Sequence, residues 1–262
     1  MSRGTRGPAG LVAIGFVTLA WGCTPSPARA RAPEGSLRTL SPPTQEEWTR
    51  VRQRLAVTRT TQPARPYVEQ ITVAMREPVT GKVFQARGAL AVDPHRALRM
   101  ILLGPGGGTA LDVWLTDERF RVVVPALSMR RTGGRDAASW RGLPVGFFRW
   151  WMLHPLDGRV LDGWLRNGDA IYLLRRDDET VLLRDHAGHA GHHVLAMRRA
   201  QGEVEEVEWY GRALVPHEGD KARYVHVTSG LEVEVLVDSV SDDEPDPAAF
   251  FDPDVATPET PL

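Results

Sequence analysis

The sequence holds one cysteine in 262 residues, at position 23. A lone thiol forms no internal disulfide, and one sulfur ligand does not hold a structural zinc. Positive charge is not in excess either: 32 Lys and Arg stand against 33 Asp and Glu, for a net charge of −1. With no basic surplus to follow phosphates, nucleic acid is excluded as a natural partner. No apolar run reaches the roughly 20 residues of a membrane-spanning helix. A G-x-S-x-G nucleophile elbow is absent, and the Gly104–Gly108 stretch lacks the Gly-Lys-Ser/Thr ending of a phosphate loop. The carboxylate pairs Asp177-Asp178 and Asp242-Asp243 sit in turn or tail compositions, without an acid–base partner. These absences argue against an enzyme and imply no cofactor.

What is present begins at the N-terminus. Arg3 and Arg6 precede an apolar stretch from Leu11 to Ala20, and Gly22 stands before Cys23. A charged region, a short apolar core and a small-residue cut site make a secretory signal peptide over residues 1–22. The Ala20-Trp21-Gly22-Cys23 stretch resembles a bacterial lipobox, with Ala20 where Leu is usual, which makes Cys23 the expected lipid anchor. An ordinary signal peptide with a cysteine nearby is the alternative. One acyl chain binds membranes only marginally, so lasting attachment takes a multi-chain anchor of the lipobox kind. Thr24, in place of Asp, points to the outer membrane, with the domain facing the periplasm.

Residues 23–43 are dense in Pro, Ala and Arg and read as an extended tether. Residues 242–262 are acidic and broken by proline, and the expectation is a tail disordered beyond Pro253. Between them, residues 44–241 fit a single β-rich domain. Thr44 and Glu47 have the spacing of a capping box, and Trp48, Val51 and Leu55 make one apolar stripe on a helix of about three turns. From Tyr67 the period changes to two. "YVEQITVAMRE", "KVFQARGALAV", "ALRMILLG", "TALDVWLT" and "RFRVVVPA" read as a meander with one apolar and one wet face. "LPVGFFRWWMLHP" interrupts it as a helix between Pro144 and Pro155, with Phe147, Trp150, Trp151 and His154 on one stripe. Six further strands follow, the clearest being "LEVEVLVDS". So many strands cannot remain flat, and the sheet must curl.

Three stretches, "FQARGALAV", "RMILLGPGGGTALDVWL" and "GLPVGFFRWWMLHPLDG", resemble the LolA/LolB lipoprotein-carrier superfamily, and most of all its outer-membrane receptor branch, LolB. The likeness covers Thr44 to about Ser239. It implies a mainly β (α+β) fold: a curled antiparallel sheet forming an incomplete β-barrel, lidded by short helices over an apolar cavity for acyl chains. On that reading Met100, Leu102, Leu111, Val113, Leu115, Phe120 and Val122 line the cavity, and Phe147, Trp150 and Trp151 cover it. The loop Gly104, Pro105, Gly106, Gly107, Gly108 would face the membrane. There the chain departs from the receptor pattern, since Gly106 stands where the receptor presents a protruding Leu.

The implied partners are lipoprotein acyl chains or other lipid, a LolA-like periplasmic carrier, and the membrane through Cys23. The other reading is a structural envelope lipoprotein whose core closes on itself. Among candidate metal ligands, His186, His189, His192 and His193 form a run with small residues between them, the composition of an exposed hairpin connection. It is a weak candidate for metal binding, and no metal is expected.

Overall fold

The computed structural model describes residues 41–60, 62–135, 145–154, 156–177, 179–188, 191–200, 203–211, 216–227, 229–241 and 243–255, with backbone only at Phe147 and between residues 187 and 211. Cys23, with the signal peptide and most of the tether, lies outside them, as does His189. Among the described residues, a helix, α1 (Gln45–Thr60), precedes the sheet. The first six strands are β1 (Tyr67–Arg76), β2 (Val83–Asp93), β3 (Ala97–Leu103), β4 (Thr109–Thr116), β5 (Arg119–Val124) and β6 (Met129–Gly134). A short helix, α2 (Val145–Phe147), runs into a π-helical segment, π1 (Phe148–Leu153). Seven more strands follow: β7 (Arg159–Arg166), β8 (Asp169–Arg176), β9 (Glu179–Gly188), β10 (Gly191–Ala200), β11 (Glu203–Gly211), β12 (Lys221–His226) and β13 (Leu231–Ser241).

All thirteen strands join one antiparallel sheet in the order β6-β5-β4-β3-β2-β1-β13-β12-β11-β10-β9-β8-β7. The incomplete barrel expected from the sequence is therefore the observed architecture: β6 and β7 are edges and do not pair with each other. The chain passes from one edge to the other through α2 and π1. Ion pairs also bridge the gap, Arg176 with Asp117 at 2.5 Å and Arg135 with Asp177 at 2.9 Å.

Period-two alternation decides the two faces. Inward, Ile71 and Val73, Leu90 and Val92, Leu98 and Met100, Val113 and Leu115, Phe120 and Val122, Tyr172 and Leu174, and Val233 to Val237 join one core. Outward, Arg99 and Arg121 both grip Asp112, the latter at 2.7 Å. A second, smaller apolar cluster of Trp164, Ile171 and Leu182 lies on the outer side of β7–β9. Gly88 permits the close approach of β2 to β3, since a Cβ there would sit 1.9 Å from the Ile101 carbonyl oxygen.

The capping box forms at α1. Thr44 Oγ1 accepts from the Glu47 N–H at 3.2 Å. The Glu47 carboxylate does more than cap. It accepts the Leu165 N–H at 2.9 Å and pairs with Arg166. The hydrogen bond from Leu165, then the charge and hydrogen bond of Arg166 and the Thr44 N–H, hold its carboxyl below the usual range against the cost of burial. Thus α1 seals the β7 edge, and Val51 and Leu55 enter the core.

Four expectations need correction. The helix is 16 residues rather than about three turns, because Arg59 ties its last turn to the carbonyls of Leu156 and Gly158 at 2.7–3.1 Å. Two strands, β6 and β7, carry no clean alternation in "MRRTGG" and "RVLDGWLR" and go unread in the sequence. The Phe147–His154 stretch is not an α-helical stripe: within π1 Phe148, Arg149, Trp150, Trp151 and Leu153 are all buried, so the segment is enclosed all round. The expected tail also contributes to the fold as far as Val255. Asp252 pairs with Arg119, Asp254 with Arg121 at 3.1 Å and Arg130 at 2.5 Å, and Trp114 donates to the Phe250 carbonyl at 3.0 Å. The outward arginines of β5 and β6 gave the acidic segment a surface to lie on.

Candidate functional site: the concave face and its cleft

The side chains expected to line a cavity do converge. Met100, Leu102, Val113, Leu115, Phe120, Val122, Trp150 and Trp151 are buried together on the concave face, with Leu111 packed against them at its margin. Phe147 lies in α2 by its backbone. The Trp150 and Trp151 rings meet at 5.6 Å, tilted by 59°. These residues form a filled core, into which π1 is packed. Arg149 fixes the segment to the sheet, donating from Nε to the Thr116 carbonyl at 2.9 Å. The Tyr172 hydroxyl, deep in the same core, has no hydrogen-bond partner among the described residues.

An open cleft lies beside this core. A cleft lined by Tyr67, Glu69, His95, Trp151, Met152 and Leu153, together with Gln62, Pro63, Pro94 and Pro216, offers about 40 Å³ to solvent-sized occupants. That is room for roughly two or three waters and not for an extended acyl chain. Of the expected cavity residues only Trp151 reaches it.

Glu69 gives the cleft its chemistry. It is 2 % exposed, and burial, reinforced by the charge of Asp220, raises its carboxyl to about 8. It is thus a neutral acid at neutral pH, on a wall shared with Tyr67, Trp151 and His95. Burial, and then Glu69, also push the Tyr67 phenol up. Nothing in "YVEQITV" distinguishes Glu69 from an outward strand residue except its phase: it shares the parity of Ile71 and Val73.

A polar cluster adjoins the cleft. His154, 4 % exposed, places Nδ1 2.7 Å from Asp157 Oδ2, and Nε2 lies 3.1 Å from Asp117 Oδ1. His95 Nδ1 stands 3.5 Å from the same Asp157 oxygen. His154 was read from the sequence only as part of an aromatic stripe. His95 carried no signal, being a single His in the turn "DPHR".

The glycine loop forms the tip of the β3–β4 hairpin. Gly106 and Gly107 take φ of +90° and +82°, and a Cβ on Gly106, Gly107 or Gly108 would meet open space. It carries no large apolar side chain, but its neighbours along that margin of the sheet do. Val79 and Phe84 flank the β1–β2 turn at 88 % and 59 % exposure, and Leu127 follows β5 at 72 %. Leu103 and Val227 are also exposed there. Sequence reading passed over them because single apolar residues in turns form no pattern.

The described histidines of the run, His186, His192 and His193, lie in strands rather than a loop. His186 lies near the end of β9 and pairs with Asp169, which Arg184 also holds. His193 lies opposite His186 in β10, beside His192. His189 falls outside the described residues.

No family model matches the sequence, and no curated protein matches it. Solved structures do resemble the fold. A LolA superfamily protein from Nitrosomonas europaea aligns with 77 % of this chain and 97 % of its own length, at a TM-score of 0.52 and 10 % identity. A DUF1329 family protein from Desulfovibrio piger aligns at a TM-score of 0.48 and 11 % identity over 78 % of this chain and 97 % of its own. An outer membrane lipoprotein-sorting protein domain from Vibrio parahaemolyticus aligns at 0.45 and 11 % over 79 % and 97 %. The fold is LolA-like, an open curled sheet with few helices.

Proposed function

We propose that this LolA-like domain is an envelope lipid carrier or acceptor, tethered through Cys23 to the outer membrane and taking acyl chains of lipoproteins, or other lipid, onto its concave face. One observation carries the reading. The sheet is open between β6 and β7: side-chain ion pairs span the gap with no strand-to-strand hydrogen bonds, and π1 packs on the concave face against β2 and β3. Withdrawing π1 would expose a continuous apolar face without breaking the sheet. Each methylene buried there contributes about 0.8 kcal/mol, so a chain of a dozen carbons could replace the aromatic contacts. The neutral Glu69 is suited to a polar head group at the cleft, and exposed Val79, Phe84 and Leu127 to a membrane surface. A LolA-like periplasmic carrier is the partner that this role implies.

The filled core supports a second reading, a structural envelope lipoprotein with no lipid ligand. Mass spectrometry of the natively purified chain, with a fluorescent fatty-acid titration, separates the two. Co-purifying acyl chains and saturable uptake uphold the carrier. Neither appearing overturns it in favour of the structural role.

A further inference from the structure

We propose that His95, His154 and Asp157 form a binding site for a late first-row divalent cation, with Zn²⁺ as its test ion. One ligand atom from each lies within 4.8 Å of the other two, outside the histidine run that the sequence singled out. The inference is independent of the lipid-carrier reading.

The donor set is two imidazole nitrogens and a carboxylate oxygen, which suits zinc and its neighbours rather than calcium or magnesium. Bonds of about 2.0–2.2 Å to a tetrahedral centre place ligand atoms roughly 3.3–3.5 Å apart. The His95–Asp157 separation of 3.5 Å already has that value. The His154–Asp157 separation of 2.7 Å must open by roughly 0.6–0.8 Å, a movement within reach of side-chain rotation. The two imidazole rings are tilted by 49° with centroids 5.5 Å apart, converging on the carboxylate rather than stacking.

The surroundings are those of a supported ligand set. Metal-bound histidines present their other nitrogen to a carboxylate, which fixes ring orientation. His154 Nε2 faces Asp117 Oδ1 at 3.1 Å, close enough for an ion pair but not aligned as a hydrogen bond. Asp117 is itself gripped through both oxygens by Arg176, at 2.7 and 2.5 Å. Asp157 is placed by its chain: its N–H donates to the His154 carbonyl at 3.2 Å, and Arg59 holds the carbonyls on either side. His95 sits in the β2–β3 turn with a left-handed φ of +62°. Half-exposed and on the cleft wall, it leaves the fourth position to water or a small anion. The ion would tie the β2–β3 turn to the segment leaving π1.

The experiment is a titration of the full chain with Zn²⁺ and Co²⁺ in a His186→Ser, His189→Ser, His192→Ser, His193→Ser background. Arg184 still holds Asp169 in that variant. The proposal expects one ion per chain, tetrahedral Co²⁺ absorption bands and a raised melting temperature. His95→Gly relieves the left-handed strain and should remove binding while leaving metal-free stability unchanged or higher. Asp117→Asn should weaken affinity about 10- to 100-fold. The proposal is overturned if the background variant binds no Zn²⁺, or if His95→Gly binds it equally well.

Discussion

Arg176, the last residue of β8, places Nη2 2.7 and 2.5 Å from the two oxygens of Asp117 in the β4–β5 turn. The pair joins strand ends from opposite sides of the open sheet. Burial alone would raise the Asp117 carboxyl. The Arg176 hydrogen bonds, with the charges of His154, Arg176 and Arg135, outweigh it and hold the group low. On the carrier reading this is a clasp, and Arg176→Ala should speed uptake of a fluorescent fatty acid several-fold in stopped-flow mixing. Raising salt should mimic it, because partly exposed ion pairs are screened. An unchanged rate in both would show that entry lies elsewhere.

Glu69 makes stability depend on pH. Its carboxyl moves from 4.5 to about 8 on folding, so the folded chain keeps a proton that the unfolded chain releases. The stability belonging to this neutral acid is complete below about pH 4.5 and is lost as pH rises through about 8, at roughly 1.4 kcal/mol per unit. Urea midpoints should fall across that window in the parent and stay flatter in Glu69→Gln. Parallel curves for the two would dispose of the assignment.

Gly163 marks where α1 meets β7. A Cβ there would stand 2.4 Å from Val51 Cγ1 and 3.1 Å from the Ile171 carbonyl oxygen. Gly163→Ala should cost about 1–3 kcal/mol by overpacking. A Val51→Ala background should recover part of it, a coupling that a double-mutant cycle reads directly. Strict additivity would mean that the helix does not rest on Gly163.

The acidic C-terminal segment should stabilise the domain. Ending the chain at Ser241 leaves the Trp114 indole N–H without its Phe250 acceptor and Arg119 without Asp252. The expected loss is at least about 1 kcal/mol, read as a lower denaturation midpoint. An unshifted midpoint would make the contact incidental.

Two tests address the membrane. Cys23→Ala should release the chain from the membrane fraction and lower its mature mass by the lipid. The triple variant Val79→Ser, Phe84→Ser, Leu127→Ser should bind lipid vesicles more weakly than the non-acylated parent. Equal vesicle binding would remove that margin of the sheet from the proposal.

Particular residues show what the sequence made legible. Leu231, Val233, Val235 and Val237 alternate with Glu232 and Glu234, and β13 follows from them with its inward face. The curled open architecture followed from too many strands for a flat sheet. Strand β7 was hidden because Leu161 is bulged out of register and Gly163 takes an inward position for α1. The π winding was hidden because Phe147, Trp150, Trp151 and His154 fit α-helical spacing equally well. The core-lining set was legible from period two. Its being filled was not, since parity gives a side chain's face and not what lies opposite. Glu69 and His95 depend on pairs brought together across the chain, and no local pattern announces those.

The strand order has a consequence for how the chain reaches its fold. Every neighbouring pair of strands is consecutive in sequence except β1 with β13. Eleven of the ladders are therefore closed by short local connections, and one closes a loop of well over a hundred residues. Closure entropy grows with loop length, and non-local pairings slow folding. By strand order the sheet is two meanders, β1–β6 and β7–β13, joined at one seam and sharing one core. That seam carries a register shift between Gln70 and Ile71, directly beside Glu69. If this long closure is the slow step, pulsed amide exchange should protect β1 and β13 after the hairpins within each meander, and simultaneous protection of all strands would contradict it.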